Sequence, residues 1–344
     1  MGHLTHGLLP DVRSHQMPAV LITGGAGYIG SHVVKELLEK GYHPVVYDNL
    51  QTGHRSAIRH VPFVQGDLKD EEKLKDTFRS YPIESVMHFA GDCLVGESVK
   101  EPLKYFNNNV RNGMQLIETM CSFGVRKIVF SSSAAVYGEP KEIPIPENHA
   151  CQPSNPYGET KWIFERILHA LCQTGKIDYV SLRYFNAAGA DPVAGLGEDH
   201  LHETHLIPLC LLGILNGKPV QIFGTDYETP DGTCIRDYVH VTDLAQAHLL
   251  ALEGLERRGG SSIYNLGNGN GYSVREVIET IRKVTGRRLS TLETARRPGD
   301  PARLVASSER IRNELGWIPR HPELGIIIET AWKWHRQHPE GYRD

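Results

Sequence analysis

The stretch AVLITGGAGYIGSHVVKELLEKGYHPVVYDNL, residues 19–50, determines how the rest of the sequence is interpreted. Its first apolar run, AVLI, has the length and composition of a buried strand. Glycines follow, and the next residues predict a helix with Ile29, Val33 and Leu37 along one side. Gly41 ends that helix, and HPVVYD has the composition of a second strand. The stretch therefore predicts a β-α-β unit.

Strands and helices continue to alternate after this unit. The runs PFVQGDL, SVMHFAG, KIVFSSS and DYVSLRYFN indicate further strands. Helices are predicted between them, at DEEKLKDTFRSY, over 98–123 and over 157–173. Because strands that alternate with helices form parallel sheets, we predict an α/β protein with a Rossmann-type, doubly wound parallel sheet.

The character of the sequence changes after about Asn186. Gly, Pro and Asp cluster over 189–199, and short strands are predicted at VQIFG, TCIRDYV and SIYNLG, with helices over 242–256 and 273–285. This composition indicates a smaller α+β substrate-binding domain. We expect it to lie over the carboxyl ends of the parallel strands, where open sheets bind their ligands.

Two domains and a tail follow from this division. The Rossmann domain is expected over residues 17–188 and the smaller domain over 189–344, with part of 237–258 packing back on the first domain. Residues 1–16 lack the long apolar core of a signal peptide, so we interpret them as a tail outside the fold.

Composition excludes several classes of function. The net charge is −4 and no basic run is present, so a nucleic-acid partner is not expected. No apolar stretch reaches the roughly 18 residues of a membrane span. The six cysteines include no CxxC pair, and we expect them to be reduced in a cytoplasmic protein.

The glycine-rich turn indicates a dinucleotide site. Gly24, Gly27 and Gly30 follow a predicted strand and open a helix, where backbone N–H groups can bind a pyrophosphate. Asp48 ends the next strand, and a carboxylate there binds the adenosine ribose and repels a 2′-phosphate, which favours NAD over NADP. Asp67 is a candidate for the adenine edge. The alternative for either aspartate is ordinary turn chemistry.

The segment SNPYGETK, residues 154–161, places Tyr157 and Lys161 one helical turn apart on one face. A free tyrosine has a pKa near 10, and a nearby lysine cation with a positive nicotinamide ring would favour its phenolate. A serine of SSSAAVYG, at the end of a predicted strand, can bridge the phenol and a substrate oxygen. The three groups would form a proton-transfer site beside a hydride acceptor. By itself, the Tyr–Lys spacing also occurs by chance on a surface helix.

These features resemble the extended short-chain dehydrogenase/reductase family, whose pattern is TGxxGxxG followed by YxxxK. The resemblance covers residues 18–344 and, within the family, is to the enzymes that interconvert UDP-glucose and UDP-galactose. It rests on ordered matches at TGGAGYIGSH, YDNL, GDL, HFAG, VGES, FSSSAAVYG, PYGETK, RYFNAAGADP, GEDH, IFGTDY, DGTCIRDYVHVTDLA, YNLG and RRPGDPA. It implies reversible epimerisation of a UDP-sugar at C4 through a 4-keto intermediate with tightly bound NAD, and weaker activity on UDP-N-acetylhexosamines.

The resemblance also implies roles for individual residues. The catalytic residues would be Ser133, Tyr157 and Lys161. NAD would be bound by Gly24, Gly27, Tyr28, Ile29, Gly30, Asp48, Asn49, Asp67, Leu68, Phe89, Ala90, Asn109, Ser131, Tyr157, Lys161 and Phe185. The UDP-sugar would be bound by Ser133, Asn186, His205, Leu206, Phe223, Arg236, Arg297, Asp300 and Leu304. Two positions depart from the family, because Cys93 replaces a frequent lysine and His205 a frequent asparagine.

Leu304 has a particular place in this scheme, since the corresponding position borders the C2 substituent of the sugar. A tyrosine there restricts the family's enzymes to UDP-glucose and UDP-galactose, whereas a smaller residue also admits N-acetylated sugars. Leucine is smaller than tyrosine, which is the basis of the expected weaker activity. The alternative is that Leu304 only fills a core.

Assembly is predicted from two helices with surplus apolar residues. One carries Leu103, Phe106, Val110, Met114 and Ile117, and the other carries Trp162, Ile163, Ile167, Leu168 and Leu171. These side chains either cover the sheet or form a helix bundle between two subunits. With the resemblance, we expect a homodimer.

Two alternatives are weighed against the epimerase interpretation, and a metal site is weighed for one loop. A nucleotide-sugar 4,6-dehydratase would have an Asp-Glu pair where this chain has Ala134 and Ala135, and an NAD-sensing regulator would need neither Tyr157 nor Lys161. DHLHETH, residues 199–205, lacks the HExxH spacing of a helical metal site, so we expect no metal and a polar loop that covers the substrate.

Overall fold

The computed structural model describes residues 18–297 and 299–344, and the tail expected over 1–16 lies outside them. The strands are β1 (Ala19–Thr23), β2 (His43–Asp48), β3 (Phe63–Gln65), β4 (Ile83–His88), β5 (Lys127–Ser133), β6 (Asp178–Tyr184), β7 (Asn186–Ala188), β8 (Val220–Phe223), β9 (Ile235–His240), β10 (Ser261–Leu266), β11 (Gly271–Ser273), β12 (Thr291–Thr294) and β13 (Arg303–Leu304). The α-helices are α1 (Tyr28–Glu39), α2 (Glu71–Ser80), α3 (Val95–Lys100), α4 (Pro102–Tyr105), α5 (Asn112–Ser122), α6 (Pro156–Gln173), α7 (Leu206–Asn216), α8 (Val241–Arg258), α9 (Val274–Thr285), α10 (Glu309–Leu315) and α11 (Leu324–Gln337).

A seven-stranded parallel sheet in the order β10-β6-β5-β4-β1-β2-β3 forms the centre of the molecule. Strand order reverses between β1 and β4, which are hydrogen-bonded neighbours. This confirms the predicted Rossmann-type sheet. Since the loops on either side of a reversal diverge and leave a crevice, the ligand site is expected at the carboxyl ends of β1 and β4.

Helices cover both faces of the sheet, and β1 shows why the strands are so apolar. Val20 and Ile22 pack on the side of α1 and α8, whereas Ala19 and Leu21 pack on the side of α2, α5 and α6. All four are 3% exposed or less. Burying a large aliphatic side chain contributes about 1.5–3 kcal/mol, so both faces stabilise the sheet.

The helix predicted over 98–123 is broken in the structure. Pro102 has no N–H and its ring would clash with a carbonyl one turn earlier, so α3 ends at Lys100 and α4 begins at Pro102. A turn of π-helix then covers Phe106–Arg111 before α5 begins. Such turns are rare and often occur at functional sites, and this one contains the candidate Asn109.

The C-terminal half forms a second core. β9 pairs with β11, β13 and β7, while β8 and β12 form a separate parallel pair. Helices α7, α9 and α11 enclose the apolar cluster between them. α9 is started by a capping box, in which Ser273 and Glu276 each accept a backbone N–H of the other.

Three C-terminal elements, β10, α8 and α10, belong to the first sheet and its cover, and α10 packs on α8 and β10. The SIYNLG strand, assigned from the sequence to the smaller domain, is β10, which pairs with β6 along its whole length at the edge of the large sheet. α8 packs against α1 on the face of that sheet. This strand is thus part of the large sheet, and the division of the chain at residue 189 stays a prediction.

Two further observations concern the described part of the chain as a whole. All six cysteines are free thiols. No helix within 18–297 or 299–344 has the length and hydrophobicity to cross a membrane.

Candidate active site

The glycine-rich turn between β1 and α1 is tightly packed. Gly24 has φ +74°, and a Cβ there would lie 2.5 Å from the Ala90 nitrogen at the end of β4. A Cβ on Gly30 would lie 2.4 Å from the Gly24 carbonyl oxygen. Only glycine fits either position without moving backbone.

The N-terminus of α1, which follows this turn, has backbone N–H groups without a side-chain cap. Gly27 precedes the helix and offers no side-chain cap, and no acidic residue lies in the first turn. The first N–H groups of a helix lack intrahelical partners and carry the positive end of its dipole. A negatively charged group is the natural partner for these N–H groups.

Asp48, at the end of β2, fixes the turn from the side. Its carboxylate accepts the Ala26 N–H at 2.9 Å and the Leu50 N–H at 2.8 Å. Burial raises the pKa of Asp48 above its usual value, and these two hydrogen bonds act in the opposite direction. The predicted ribose ligand is therefore also part of the turn's own framework.

The candidates for the adenine end lie in the next loop. Asn49 Nδ2 donates to Asp67 Oδ2 at 3.1 Å, and the Lys69 N–H donates to Asp67 Oδ1 at 3.0 Å. Partial burial opposes the change, but these hydrogen bonds lower the pKa of Asp67. The Leu68 side chain is buried in the core, and Ile29 packs against the other face of the sheet.

The proposed catalytic groups come from β5 and α6. Asn155 caps α6 by accepting the Gly158 N–H at 2.9 Å, so Tyr157 lies in the first turn and Lys161 in the second. Ser133 is the last residue of β5. The Lys161 Nζ donates to the Ser131 carbonyl at 2.9 Å and lies 5.8 Å from the centroid of the Tyr157 ring.

The protonation of this pair is controlled by burial. Burial lowers the pKa of Lys161 to about 8. It raises the pKa of Tyr157, as does the neighbouring Cys93, whereas a hydrogen bond with Ser133 lowers it. In the protein alone, the phenol is thus held in its neutral form, and a positive charge bound nearby would favour the phenolate.

The candidates for the UDP end form two contacts in the C-terminal half. Arg236, on β9, pairs with the Asp300 carboxylate. Arg297 lies over Phe223 at the end of β8, with its guanidinium carbon 3.9 Å from the ring centroid. Planar guanidinium groups suit a diphosphate because they donate paired hydrogen bonds.

Leu304 lies between the candidate UDP residues and the end of β5. It pairs with Arg236 between β13 and β9, and its side chain packs in a small cluster with Phe185 and Ala134, the residue after Ser133. The backbone near Gly299 also accepts a 3.5 Å hydrogen bond from Ser154, just before α6.

The loop after β7 contacts the first turn of α1. The Tyr28 hydroxyl donates to the Gly189 carbonyl at 2.7 Å, which ties the first helical turn to the loop that follows Asn186. At its other end, the loop reaches His205, the residue before α7, and Leu206, the first residue of α7.

The profile of the NAD dependent epimerase/dehydratase family matches residues 20–267. The chain belongs to this family. It is 53% identical to the UDP-glucose 4-epimerase of Halalkalibacterium halodurans over 325 residues, which cover 94% of this chain and 97% of that protein.

Solved structures of family members have the same fold as this chain. UDP-glucose 4-epimerase from Brucella ovis in complex with NAD has 47% identity and a TM-score of 0.89, covering 92% of this chain and 98% of its own. The Bifidobacterium longum enzyme in complex with NAD+ and UDP has 38% identity and a TM-score of 0.90, covering 94% and 100%. The expected family is therefore confirmed.

The structure also shows how α6, the helix that carries Tyr157 and Lys161, is supported. Asn109, in the π-helical turn, accepts the Asp92 N–H at 2.8 Å and donates to the Thr160 hydroxyl at 3.1 Å. It thereby connects the loop after β4, which contains Cys93, with the turn of α6 between Tyr157 and Lys161. Thr160 was not singled out from the sequence, because only the structure shows its contact.

Tyr184 was also missed. Its hydroxyl bonds to the Ser131 hydroxyl, and its ring is buried at the end of β6. Ser131 thus contacts Lys161 through its carbonyl and Tyr184 through its side chain. The sequence signal that could have indicated it is its position at the end of a predicted strand, two residues before the candidate Asn186.

A buried ion pair lies below the site. Glu165 on α6 and Arg183 on β6 are about 2% exposed and joined by the 2.9 Å contact of Arg183 Nε with Glu165 Oε1. Ser132 and Tyr137 complete the network through their hydroxyls. These bonds fix α6 against β5 and β6. Charged residues within apolar runs were the sequence signal for this network.

Proposed function

We propose that the protein interconverts UDP-galactose and UDP-glucose by reversible inversion at C4, through a 4-keto sugar and with tightly bound NAD. One observation carries the proposal. Tyr157 and Lys161 lie one turn apart beside Ser133, at the carboxyl edge of the sheet where the glycine-rich turn also lies. The named relatives, among them complexes with NAD and with UDP, support the same assignment.

The chain's own geometry fits NAD. The space beside Gly24 and Gly30 that a Cβ would occupy is taken by backbone, and the uncapped start of α1 remains for a pyrophosphate. Asp48 would bind the adenosine ribose, and its charge would disfavour a 2′-phosphate. When bound, NAD supplies the hydride acceptor and donor for C4.

The protein groups carry the proton. Tyr157, as phenolate, takes the proton of the sugar's 4-hydroxyl, and Ser133 donates a hydrogen bond to the same oxygen. Lys161 stabilises the phenolate by its charge. After the 4-keto sugar has turned so that C4 presents its opposite face, Tyr157 returns the proton to the C4 oxygen, so no net proton is consumed.

The UDP part of the substrate would stay fixed during this turnover. Arg236 and Arg297 are the groups we assign to the diphosphate, and Asp300 holds the Arg236 guanidinium in place. A firm grip on UDP with few contacts to the sugar allows both epimers to react. In the dehydratase alternative an acid and a base would be needed at Ala134 and Ala135, and neither side chain ionises.

Leu304 sets the tolerance for the C2 substituent. Its half-buried side chain packs, as that of Phe185 does, against the small cluster that contains Ala134, the residue after Ser133. Leucine leaves more room than tyrosine, so UDP-N-acetylglucosamine should react, although more slowly than the preferred hexoses. A pocket misfit of one methylene-sized group costs about 1–3 kcal/mol.

A coupled assay tests the proposal. Purified protein without added NAD should convert UDP-galactose to UDP-glucose, because bound NAD is regenerated in each cycle. Tyr157→Phe is the matched control. It should retain NAD and the fold but lose turnover by about 10²- to 10⁴-fold, the usual contribution of general acid–base catalysis.

Two results would contradict it. If Tyr157→Phe keeps more than about a tenth of the wild-type kcat, the phenol is not the base. If NAD-loaded wild-type protein shows no conversion in either direction, the substrate assignment is wrong. A regulator that only senses NAD would give the second result.

The assembly is proposed as a cytoplasmic homodimer through a helix bundle. Val99, Leu103 and Met114, on the α3–α5 segment, are large apolar side chains that are 59%, 76% and 40% exposed in the described chain. Leu103→Glu should shift the mass in light scattering from dimer to monomer. A wild-type monomer at assay concentration would contradict this.

A further inference from the structure

A group of four metal-binding residue types lies in the loop between β7 and α7. Glu198, His200, Glu203 and His205 each direct one oxygen or nitrogen towards the others, and all four atoms lie within 4.8 Å of one another. None of these residues has a role in proton transfer at Tyr157, although His205 borders the predicted UDP site.

The distances in this cluster match those between the ligands of one small cation. His205 Nδ1 lies 2.8 Å from Glu198 Oε1 and 3.1 Å from Glu203 Oε1. His200 Nδ1 lies 3.0 Å from Glu203 Oε2 and 3.7 Å from Glu198 Oε1. Ligands at about 2.0–2.1 Å from a tetrahedral zinc ion are about 3.3–3.4 Å apart, so the three shorter contacts, which are hydrogen-bond distances, would lengthen slightly when the ion binds.

The charges of the cluster also favour a cation. Glu198 and Glu203 are only 5% and 7% exposed, so two carboxylates are buried close together. Each imidazole Nδ1 faces oxygens of both carboxylates, but one N–H can point well at only one of them. A divalent ion at the centre would compensate both negative charges and accept both nitrogen lone pairs.

We propose that Glu198, His200, Glu203 and His205 bind one Zn²⁺ ion. Two imidazole nitrogens and two carboxylate oxygens are a ligand set that suits zinc, and four protein ligands form a closed structural site. The side chains of His200 and His205 are 21% and 42% exposed, which leaves a route for the ion to enter.

The ion would fix the wall of the substrate site. The other side of the loop is already held by Tyr342. Its backbone N–H donates to the Asp199 carboxylate at 2.8 Å, and its hydroxyl accepts the Gly197 N–H and donates to the Gly197 carbonyl. Zinc would fix the inner side and thereby the start of α7 at His205. This departs from the metal-free loop that the sequence predicts, because the HExxH rule applies to helices and these ligands lie on irregular backbone.

The test uses full-length protein that retains NAD, with Zn²⁺ as the probe. Two variants each remove one ligand, His200→Ala and Glu198→Gln. His202→Ala is the matched control, since His202 is an exposed histidine of the same loop outside the cluster. Zinc per chain is measured by mass spectrometry after dialysis against metal-free buffer, and affinity by titration of chelator-treated protein.

Wild type and His202→Ala should each hold one Zn²⁺ per chain, and Zn²⁺ should raise their unfolding temperature. His200→Ala and Glu198→Gln should bind Zn²⁺ about 100-fold more weakly or worse, because even loss of a group behind a ligand costs about 10–100-fold. Cobalt in the wild-type site should give the intense visible absorption of tetrahedral Co²⁺. Retained NAD shows that the variants are folded.

Two results would overturn the proposal. One is wild-type protein that shows no saturable Zn²⁺ binding and no change in unfolding temperature. The other is binding by His200→Ala and Glu198→Gln as tight as by wild type, which would place the metal elsewhere, such as on His3, His6 or His15 of the N-terminal segment. Neither result depends on which sugar the enzyme uses.

Discussion

Replacing Lys161 by methionine removes a buried positive charge with little change in side-chain volume. The Lys161 Nζ lies 5.8 Å from the centroid of the Tyr157 ring, and the residue is 6% exposed. With the phenolate charge placed at the ring centroid and an effective dielectric constant of about 20, the lysine charge stabilises the phenolate by about 2.9 kcal/mol. That energy corresponds to about two pKa units on the phenol.

The direction of the effect follows from the role of the base. Tyr157 must be deprotonated to act, so loss of the neighbouring cation raises its pKa and moves the acidic limb of the pH–rate profile to higher pH by about two units. Burial lowers the pKa of Lys161 itself to about 8. Wild-type Lys161 therefore carries its charge below that pH, and the difference between the two proteins should shrink above it.

The assay is kcat for UDP-galactose from about pH 6 to pH 10 in wild type, Lys161→Met and the charge-retaining Lys161→Arg. Below pH 8, Lys161→Met should be slower by about 100-fold, and Lys161→Arg should keep the wild-type profile shape. Bound NAD must be equal in all three proteins. An acidic limb that does not move in Lys161→Met, with NAD retained, would show that Lys161 positions the cofactor without tuning the phenol.

The remaining predictions concern three other positions. Asp48→Asn should bind NAD about 10- to 100-fold less tightly and accept NADP more readily, because a charged hydrogen-bond acceptor worth about 1.5–3 kcal/mol is lost. Competition between the two dinucleotides measures the preference, and an unchanged preference would contradict the ribose role. Leu304→Tyr should suppress turnover of UDP-N-acetylglucosamine and spare UDP-galactose, as judged by kcat/KM for both sugars; equal loss of both would remove Leu304 as the gate. Glu165→Gln should lower the free energy of unfolding by about 3–5 kcal/mol, because it leaves Arg183 buried without its counter-charge. Substitution of the exposed neighbour, Arg166→Gln, should change the free energy of unfolding little. Denaturant titration measures both, and equal stabilities of the two variants would show that the ion pair contributes nothing.

The sequence predicted the parts of the fold that depend on local pattern. The unit of β1, α1 and β2 is written in one continuous stretch of apolar periodicity and glycines, and the structure has it as expected. Tyr157 and Lys161 were predictable for the same reason, because their separation along a helix fixes their distance in space. Parallel alternation then placed Ser133 and Asp48 at the same edge of the sheet.

The parts that could not be predicted depend on contacts distant in sequence. Nothing in SIYNLG tells whether it pairs with β9 nearby or with β6, about 80 residues earlier, since a short apolar strand fits either sheet. The Asn109–Thr160 contact and the Glu165–Arg183 pair are likewise set by packing of separate elements. The break at Pro102 was visible in the sequence, but the π-helical turn after it was not.

The course of the chain through β9, α8 and β10 bears on how this enzyme could be recombined with its relatives. A gene cut once after Ala188 would leave the large sheet without its edge strand β10 and expose the apolar face that α8 covers. A chimera meant to exchange only the proposed sugar-binding half must therefore keep residues 241–266 and α10 from the cofactor-binding parent, and take the rest of the C-terminal half as three separate inserts. Moving substrate specificity between family members therefore needs a graft of several separate segments, not the joining of two halves end to end.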